Sequence, residues 1–374
     1  MKNITLITKV FPEGEKAFAV SIEYPTEIDG AKITKESFVV EAKVKDNLIK
    51  RTIKKIYVNK DGNLIENPID SKGKFLIIEL DPKDKIAETI HFDLEKFLSE
   101  RPKLNYLITQ KIDIVGVNGE VIPSFSMENT SEKRLIVDEF LPFVYQDKDL
   151  GVEISYRFFI PKDLDQNKKY PLVVFLHGIG ERGRDNFLQI SAYRGAVVWA
   201  EPRHQVEHPC FVLAPQCPPE STWIKISPGD PIEPNNELKA VANLIKELTN
   251  KYTIDTKRIY ITGLSMGGFG TWALLMENPE LFAGAIPICG GGNLSKVERI
   301  KDIPIWVFHA EDDPLVSVSF SRDIVKKLVD IGGKVRYTEF EKGYLEERGW
   351  NPHWSWIPPY ESEEIIDWLF EKRR

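Results

Sequence analysis

The sequence predicts a two-part chain: an all-β sandwich over residues 1–125, then a mostly parallel α/β sheet of about eight strands with helices on both faces over 134–374. Three observations predict it. The front third holds short runs of alternating polarity separated by turn formers. From residue 134 onward, apolar runs alternate with helical periodicities. Within that alternation lies Gly263-Leu264-Ser265-Met266-Gly267, between an apolar run and a helix-like run. A chain of 374 residues accommodates two domains, and its 42% hydrophobic content can fill two cores.

In the front part, Phe18 to Tyr24 alternates cleanly and Phe38 to Val44 does so from Val40 on. Lys74 to Leu80 and Asn105 to Thr109 are further strands. Turn signals such as Pro12-Glu13-Gly14 and Asn59-Lys60-Asp61-Gly62 separate them. Several strands at this spacing predict a sandwich that lacks a Cys–Trp–Cys core. Asp93 to Ser99 reads as one short helix, with His91 a surface residue before it. The polar stretch 126–133 reads as a linker.

In the back part, strands are expected at 134–145, 152–160, 171–177, 210–214, 258–262, 284–289, 303–309 and 334–340. Leu238, Val241, Ala242, Ile245 and Leu248 recur at helical spacing, with Asn235 or Asn236 placed to cap. A helix near 319–331 stops at Gly332-Gly333, and the last helix carries Ile365, Ile366 and Leu369. In such open sheets the ligand site falls at the carboxyl edge of the strands.

Gly-x-Ser-x-Gly between strand and helix forces a sharp turn with the serine exposed at its tip. The glycines remove Cβ atoms that would clash across it. Ser265 is therefore the candidate nucleophile, and it needs a base to take its proton. In sheets built on this elbow the acid and then the histidine follow the serine. Of six histidines only His309 and His353 follow Ser265, and only His353 leaves room for an acid between. His309 ends an apolar strand. The acid is expected in Glu311-Asp312-Asp313-Pro314. Asp313 is favoured because Pro314 fixes the backbone and Leu315-Val316 resumes an apolar anchor; Asp312 is the competitor, and Glu311 reads as a solvated charge. Oxyanion donors are expected at the backbone N–H of Met266 and, after the strand ending at Leu176, of Ile179 in a glycine-rich loop that starts His177-Gly178. Trp350 and Trp354 flank His353 and, with Gly178, are candidates to line the substrate pocket. Trp272 reads as core. Residues 215–236, with six prolines and Trp223, read as a partial lid.

The stretches Leu176–Gly183 (Leu-His-Gly-Ile-Gly-Glu-Arg-Gly), Ala214–Pro218, Gly263–Gly268 and Pro287–Gly292 give the chain a family likeness. It resembles α/β-hydrolases of the carboxylesterase type, in the branch that holds poly-hydroxyalkanoate-depolymerase-like esterases and proteins described as peptidases. With its β-rich front it is similar to thermostable esterases carrying an N-terminal immunoglobulin-like domain. The resemblance rests on specific motifs over the back three-fifths and on general β character over the front. It implies Ser265, Asp313 and His353 as a triad, with Met266 and Ile179 lining the oxyanion hole. The triad chemistry leads to hydrolysis through an acyl-enzyme without metal or other cofactor, and the lack of a large cap insertion points to an open site for short- to medium-chain acyl esters. A serine peptidase would use the same triad. A polymer esterase, acting on polyester or acetylated polysaccharide, would use the β domain to dock its substrate.

A formal net charge of −7 disfavours a nucleic-acid or anionic-membrane partner, and no segment reaches the length of a membrane span. The expected partner is a small-molecule ester; homo-oligomerisation is compatible with the sequence. Cys210, Cys217 and Cys289 cannot make a full disulfide framework and read as buried thiols, with a Cys210–Cys217 bridge the one alternative. His204, Glu207 and His208 have metal-like spacing but read as a solvated, proline-flanked loop. The start has no signal-peptide apolar stretch, and a trimmed chain would look the same, so compartment stays open. Abundant Lys and Glu with few Cys and Met lean toward a hot environment.

Overall fold

A computed structural model describes residues 3–225 and 231–374. The chain forms two compact units, Met1–His91 with Arg101–Asp138, and Phe92–Glu100 with Glu139–Arg374.

The first unit is a two-sheet sandwich. Its five-stranded sheet runs, in spatial order, Ser131–Arg134, Asn3–Phe11, Gly14–Asp29, Lys72–Leu80 and Ile53–Asn59. The four-stranded sheet runs Phe125–Glu128, Tyr106–Gln110, Phe38–Val44 and Asn47–Lys50. Alternation along the strands sends Leu6, Val20, Ile22, Leu76 and Ile78 of the first sheet and Val40 and Ile108 of the second into one core. The Arg51 side chain is buried beside them. Its guanidinium donates to Asp84 Oδ2 at 2.9 Å, to the Tyr106 hydroxyl at 2.9 Å and to the carbonyls of Ala17 and Asp81.

Two expectations for the front of the chain are corrected. The stretch 126–133 does not run as a linker: Phe125–Glu128 pairs antiparallel with Tyr106–Gln110, and Ser131–Arg134 pairs parallel with Asn3–Phe11. Its polar side chains belong to edge strands, which face water and need no apolar alternation. Asp93 to Ser99 is not a helix but the turn of a hairpin between His91–Asp93 and Leu98–Glu100. Asp93 Oδ1 accepts from the N–H groups of Glu95 and Lys96, a side-chain turn that competes with helix.

The second unit holds one eight-stranded sheet. Its strands are β1 (Leu141–Asp147), β2 (Val152–Phe159), β3 (Tyr170–Leu176), β4 (Phe211–Gln216), β5 (Ile254–Leu264), β6 (Gly284–Ile288), β7 (Ile305–Ala310) and β8 (Val335–Phe340). The spatial order is β1-β2-β4-β3-β5-β6-β7-β8. β2 is antiparallel to β1 and β4, and the remaining pairs are parallel. This is the α/β-hydrolase sheet, with the two leading strands that the sequence predicts. The central strands are buried on both faces, so they read as unbroken apolar runs.

Helix α1 (Asn236–Lys251) buries Leu238, Val241, Ala242, Ile245 and Leu248. Asn235 is its N-cap residue, yet its amide donates to the Thr222 and Ile224 carbonyls instead of capping. Helix α2 (Met266–Glu277) leaves β5 through Ser265 and is buried almost all round. Helix α3 (Ser319–Asp330) stops short of Gly332, whose φ is +73°. Helix α4 (Glu363–Phe370) packs Ile365, Ile366 and Leu369 inward. Part of the expected lid, residues 226–230, lies outside the described residues. On its flanks Trp223 is wholly buried, and the Lys225 N–H donates to the Glu233 carbonyl at 2.8 Å.

Arg51 tests the sandwich core. Arg51→Met takes the guanidinium away from Asp84, the Tyr106 hydroxyl and the Ala17 and Asp81 carbonyls, and is expected to destabilise the first unit by about 3 kcal/mol. Denaturant unfolding of the variant beside its parent measures it.

Candidate active site

The elbow between β5 and α2 is set by backbone contacts. A Cβ on Gly267 would lie 1.9 Å from the Leu176 carbonyl oxygen, and one on Gly263 would lie 2.4 Å from that of Gly267. Neither position tolerates a side chain. Ser265 itself sits at φ 54° and ψ −120°, strained for a residue with a Cβ. Its N–H donates to the Ile288 carbonyl at 3.1 Å and lies 3.2 Å from Cys289 Sγ. The strain turns the hydroxyl out of the sheet.

His353 arrives from the loop after β8. Its Nε2 lies 3.1 Å from Ser265 Oγ and its Nδ1 lies 2.8 Å from Asp313 Oδ2. Its N–H donates to Asn351 Oδ1, and its ring stands edge-on to Trp356 with centroids 5.3 Å apart. Asp313 follows β7. Its Oδ1 accepts the N–H groups of Leu315 and Val316 at 2.8 and 2.9 Å. Burial by itself would raise the Asp313 pKa, but hydrogen bonds with His309 and His353 outweigh it and hold the carboxyl far below its ordinary range. An ionised Asp313 only accepts, so His353 Nδ1 carries the proton and Nε2 is left to accept from the serine hydroxyl. Of the three carboxylates weighed in the sequence, Asp313 is the one at His353. Asp312 accepts from the Gly343 N–H, and Glu311 faces Arg322.

His309 was read from the sequence only as a strand end. It is wholly buried, with Nε2 3.3 Å from Asp313 Oδ2 and 3.0 Å from the Val316 carbonyl, and Nδ1 2.8 Å from Ser321 Oγ. The signal available in the sequence was its spacing of four from Asp313 across a tight loop.

The loop after β3 wraps the elbow. The His177 imidazole bridges it: Nδ1 donates to the Gly178 carbonyl at 2.6 Å and Nε2 accepts the Cys217 N–H at 2.9 Å. Complete burial pushes the His177 pKa down to about 3, so this bridge stays neutral. The Trp223 indole donates to the His177 carbonyl. Ile179 opens the turn Ile179–Glu181, and Met266 opens α2, where a first-turn N–H has no intrahelical partner. A Cβ on Gly178 would lie 3.0 Å from both Leu264 Cδ1 and Glu181 Oε2.

Trp354 and Trp356 gather with Tyr193 beside His353, their rings 6.2 and 4.9 Å from that of Tyr193. Trp350 is half-buried, and its N–H donates to the Leu345 carbonyl. Trp272 is core. His204 and His208 lie on and after a short helix, Pro202–Glu207, not on an open loop; Pro202 at its first position starts it. His204 is buried near Glu363, while His208 bonds Asp367 at 2.7 Å. All three cysteines are free and buried.

Residues 3–123 match the esterase Ig-like N-terminal domain family, and residues 163–347 match the phospholipase/carboxylesterase family. A solved structure of a thermostable esterase aligns over 100% of both chains with 57% sequence identity and a TM-score of 0.98. The chain belongs to the carboxylesterase family of α/β-hydrolases, with an Ig-like N-terminal domain. This esterase is a carboxylic ester hydrolase.

Among curated relatives, the esterase is 31% identical over 136 residues to poly(3-hydroxyalkanoate) depolymerase C of Paucimonas lemoignei, covering 35% of this chain and 30% of that one. It is 27% identical over 176 residues to dipeptidyl-peptidase 5 of Porphyromonas gingivalis, covering 44% of this chain and 24% of that one. The matches therefore span less than a third of these relatives' own length.

Glu181 gives the esterase a pH dependence. Its carboxyl is buried beside Gly178, and Oε2 has no hydrogen-bond partner among the described residues. Burial pushes its pKa from 4.5 up to about 7, against the backbone N–H of Gly178 and the charge of Arg182. Folding thus favours the protonated acid. The contribution is whole below the unfolded value and is lost as pH rises through the folded one. Glu181→Gln keeps the shape without the ionisable group. Its stability gain over the parent is expected to grow from near zero at about pH 4.5 to on the order of 3 kcal/mol by about pH 8, in denaturant titrations.

Proposed function

We propose that the esterase is a serine carboxylesterase acting on short- to medium-chain acyl esters, with Ser265 as nucleophile, His353 as base and Asp313 as its partner. The observation that carries this reading is the unbroken chain from Ser265 Oγ to His353 Nε2 at 3.1 Å and from His353 Nδ1 to Asp313 Oδ2 at 2.8 Å. His353 takes the hydroxyl proton as Ser265 Oγ attacks the ester carbonyl. Asp313, fixed by two backbone N–H groups, orients the imidazole and stabilises the imidazolium that forms. The N–H groups of Met266 and Ile179 face the oxyanion; each such donor is worth ~10²–10³ in turnover. The imidazolium protonates the leaving alcohol, and an acyl-enzyme remains on Ser265. His353 then deprotonates a water that attacks the acyl carbon, which returns the serine.

Trp350, Trp354 and the backbone at Gly178 line the substrate side of the site in this reading. The site chemistry needs no metal. Tolerance of heat is part of the reading, supported by the likeness to a thermostable esterase and by charge networks. In one of these, Lys296 bridges Glu233 and Glu277, and Arg299 also reaches Glu277.

Ser265→Ala is expected to lose ~10⁴ or more in kcat on a p-nitrophenyl ester with its melting transition kept. Activity near that of the parent refutes the assignment. Assay of an ester beside the matching amide separates esterase from peptidase, because the amide has the poorer leaving group. Comparable kcat/KM on both would favour the peptidase.

A further inference from the structure

Residues 92–100 are embedded in the sequence of the first unit but belong to the second. The hairpin packs on the loop that carries Ile179. A Cβ on Gly180 would lie 3.0 Å from the Phe92 ring and 3.0 Å from Ser99 Oγ, so Gly180 and the hairpin are in direct contact. Arg182 ties them further. Its guanidinium donates to the Phe97 carbonyl at 3.2 Å, to the Ile179 carbonyl at 2.9 Å, and to the carbonyls of Pro219 and Ser221 at 3.0 and 3.2 Å. One side chain thus joins the hairpin, the residue of the candidate oxyanion donor and the loop after β4.

The hairpin spends large apolar side chains on its surface. Phe92 is 45% exposed, Phe97 50% and Leu94 75%. The two rings stand edge to face, centroids 6.0 Å apart. Phe97 is held at φ 51°, a region that a bulky residue adopts only at a cost in strain. Leaving two aromatic rings half in water gains little, whereas covering them with an apolar group is favourable. The Phe92 ring meets this loop at Gly180, one residue from Ile179.

We propose that the hairpin is a wall of the substrate site, and that Phe92 and Phe97 take the apolar part of the ester beyond its carbonyl. This deepens the serine-esterase reading and rests on it. The rings would then set which esters the enzyme prefers, and Arg182 would hold that wall in register with the oxyanion loop. The occupant is an alkyl or aryl group of the ester, not a second copy of the chain.

The test compares the parent with the full-length double variant Phe92→Ala/Phe97→Ala on two substrate pairs. One pair varies the acyl chain, p-nitrophenyl acetate against octanoate; the other varies the alcohol, methyl against benzyl acetate. The preference for the more apolar ester, as a ratio of kcat/KM, is expected to fall about tenfold in at least one pair. Which pair moves tells whether the rings hold the acyl or the alcohol group. Phe92→Leu/Phe97→Leu guards against misfolding and is expected to restore part of the preference. Ratios unchanged in both pairs overturn the proposal. So does sedimentation showing that the parent is an oligomer which the Ala variant breaks into monomers with its ratios intact. If Ser265→Ala abolishes turnover while the ratios stay fixed, the hairpin proposal alone fails; if Ser265→Ala stays active, the underlying reading fails.

Discussion

The site depends on how closely three backbones approach beneath Ser265. The carbonyl of Leu176, at the end of β3, sits where a Cβ on Gly267 would be, and the Gly267 carbonyl crowds Gly263 in the same way. A Cβ on Gly268 would meet the Ile288 carbonyl oxygen at 2.1 Å, at the end of β6. The helix start is therefore pressed between two neighbouring strands. That pressure leaves Ser265 no ordinary backbone conformation, and it sits at φ 54° with its hydroxyl outward. Packing of the sheet and helix supplies the energy for the strain. The loops that build the site leave the sheet after β3, β5, β7 and β8, the last bringing His353 to the hydroxyl.

Around this fixed point the electrostatics divide by burial and partner. Asp313 is enclosed but receives two backbone N–H groups and faces two imidazoles, so it stays charged. Glu181 is enclosed with no comparable set of donors, so its neutral form is favoured. His177 is enclosed between a carbonyl and an N–H and stays neutral, which suits a brace and not a base. Two carboxyl groups thus take opposite charge states because the surrounding donors and acceptors differ.

Much of this was legible in the sequence, for identifiable reasons. A Gly-x-Ser-x-Gly elbow needs glycines for steric reasons, so it leaves a mark on the residues themselves. The order of serine, acid and histidine follows from connectivity, and it singles out His353 among six histidines. The contact of His309 with Asp313 is tertiary and left no mark beyond a spacing. The reading of 126–133 as a linker went wrong because the strand Ser131–Arg134 is paired with Asn3–Phe11, more than a hundred residues away, and its polar edge carries no alternation. The hairpin at 92–100 went unseen because Asp93 turns the chain through side-chain bonds that composition does not reveal.

The proposed nucleophile of this esterase is the Ser265 hydroxyl, poised by His353. Labelling with an organophosphate, read by mass spectrometry of the digested protein, tests it most directly. One adduct per chain is expected, on Ser265, formed in step with loss of esterase activity and nearly abolished in His353→Gln. Full inactivation with the adduct on another residue, or unimpaired labelling without His353, would contradict it.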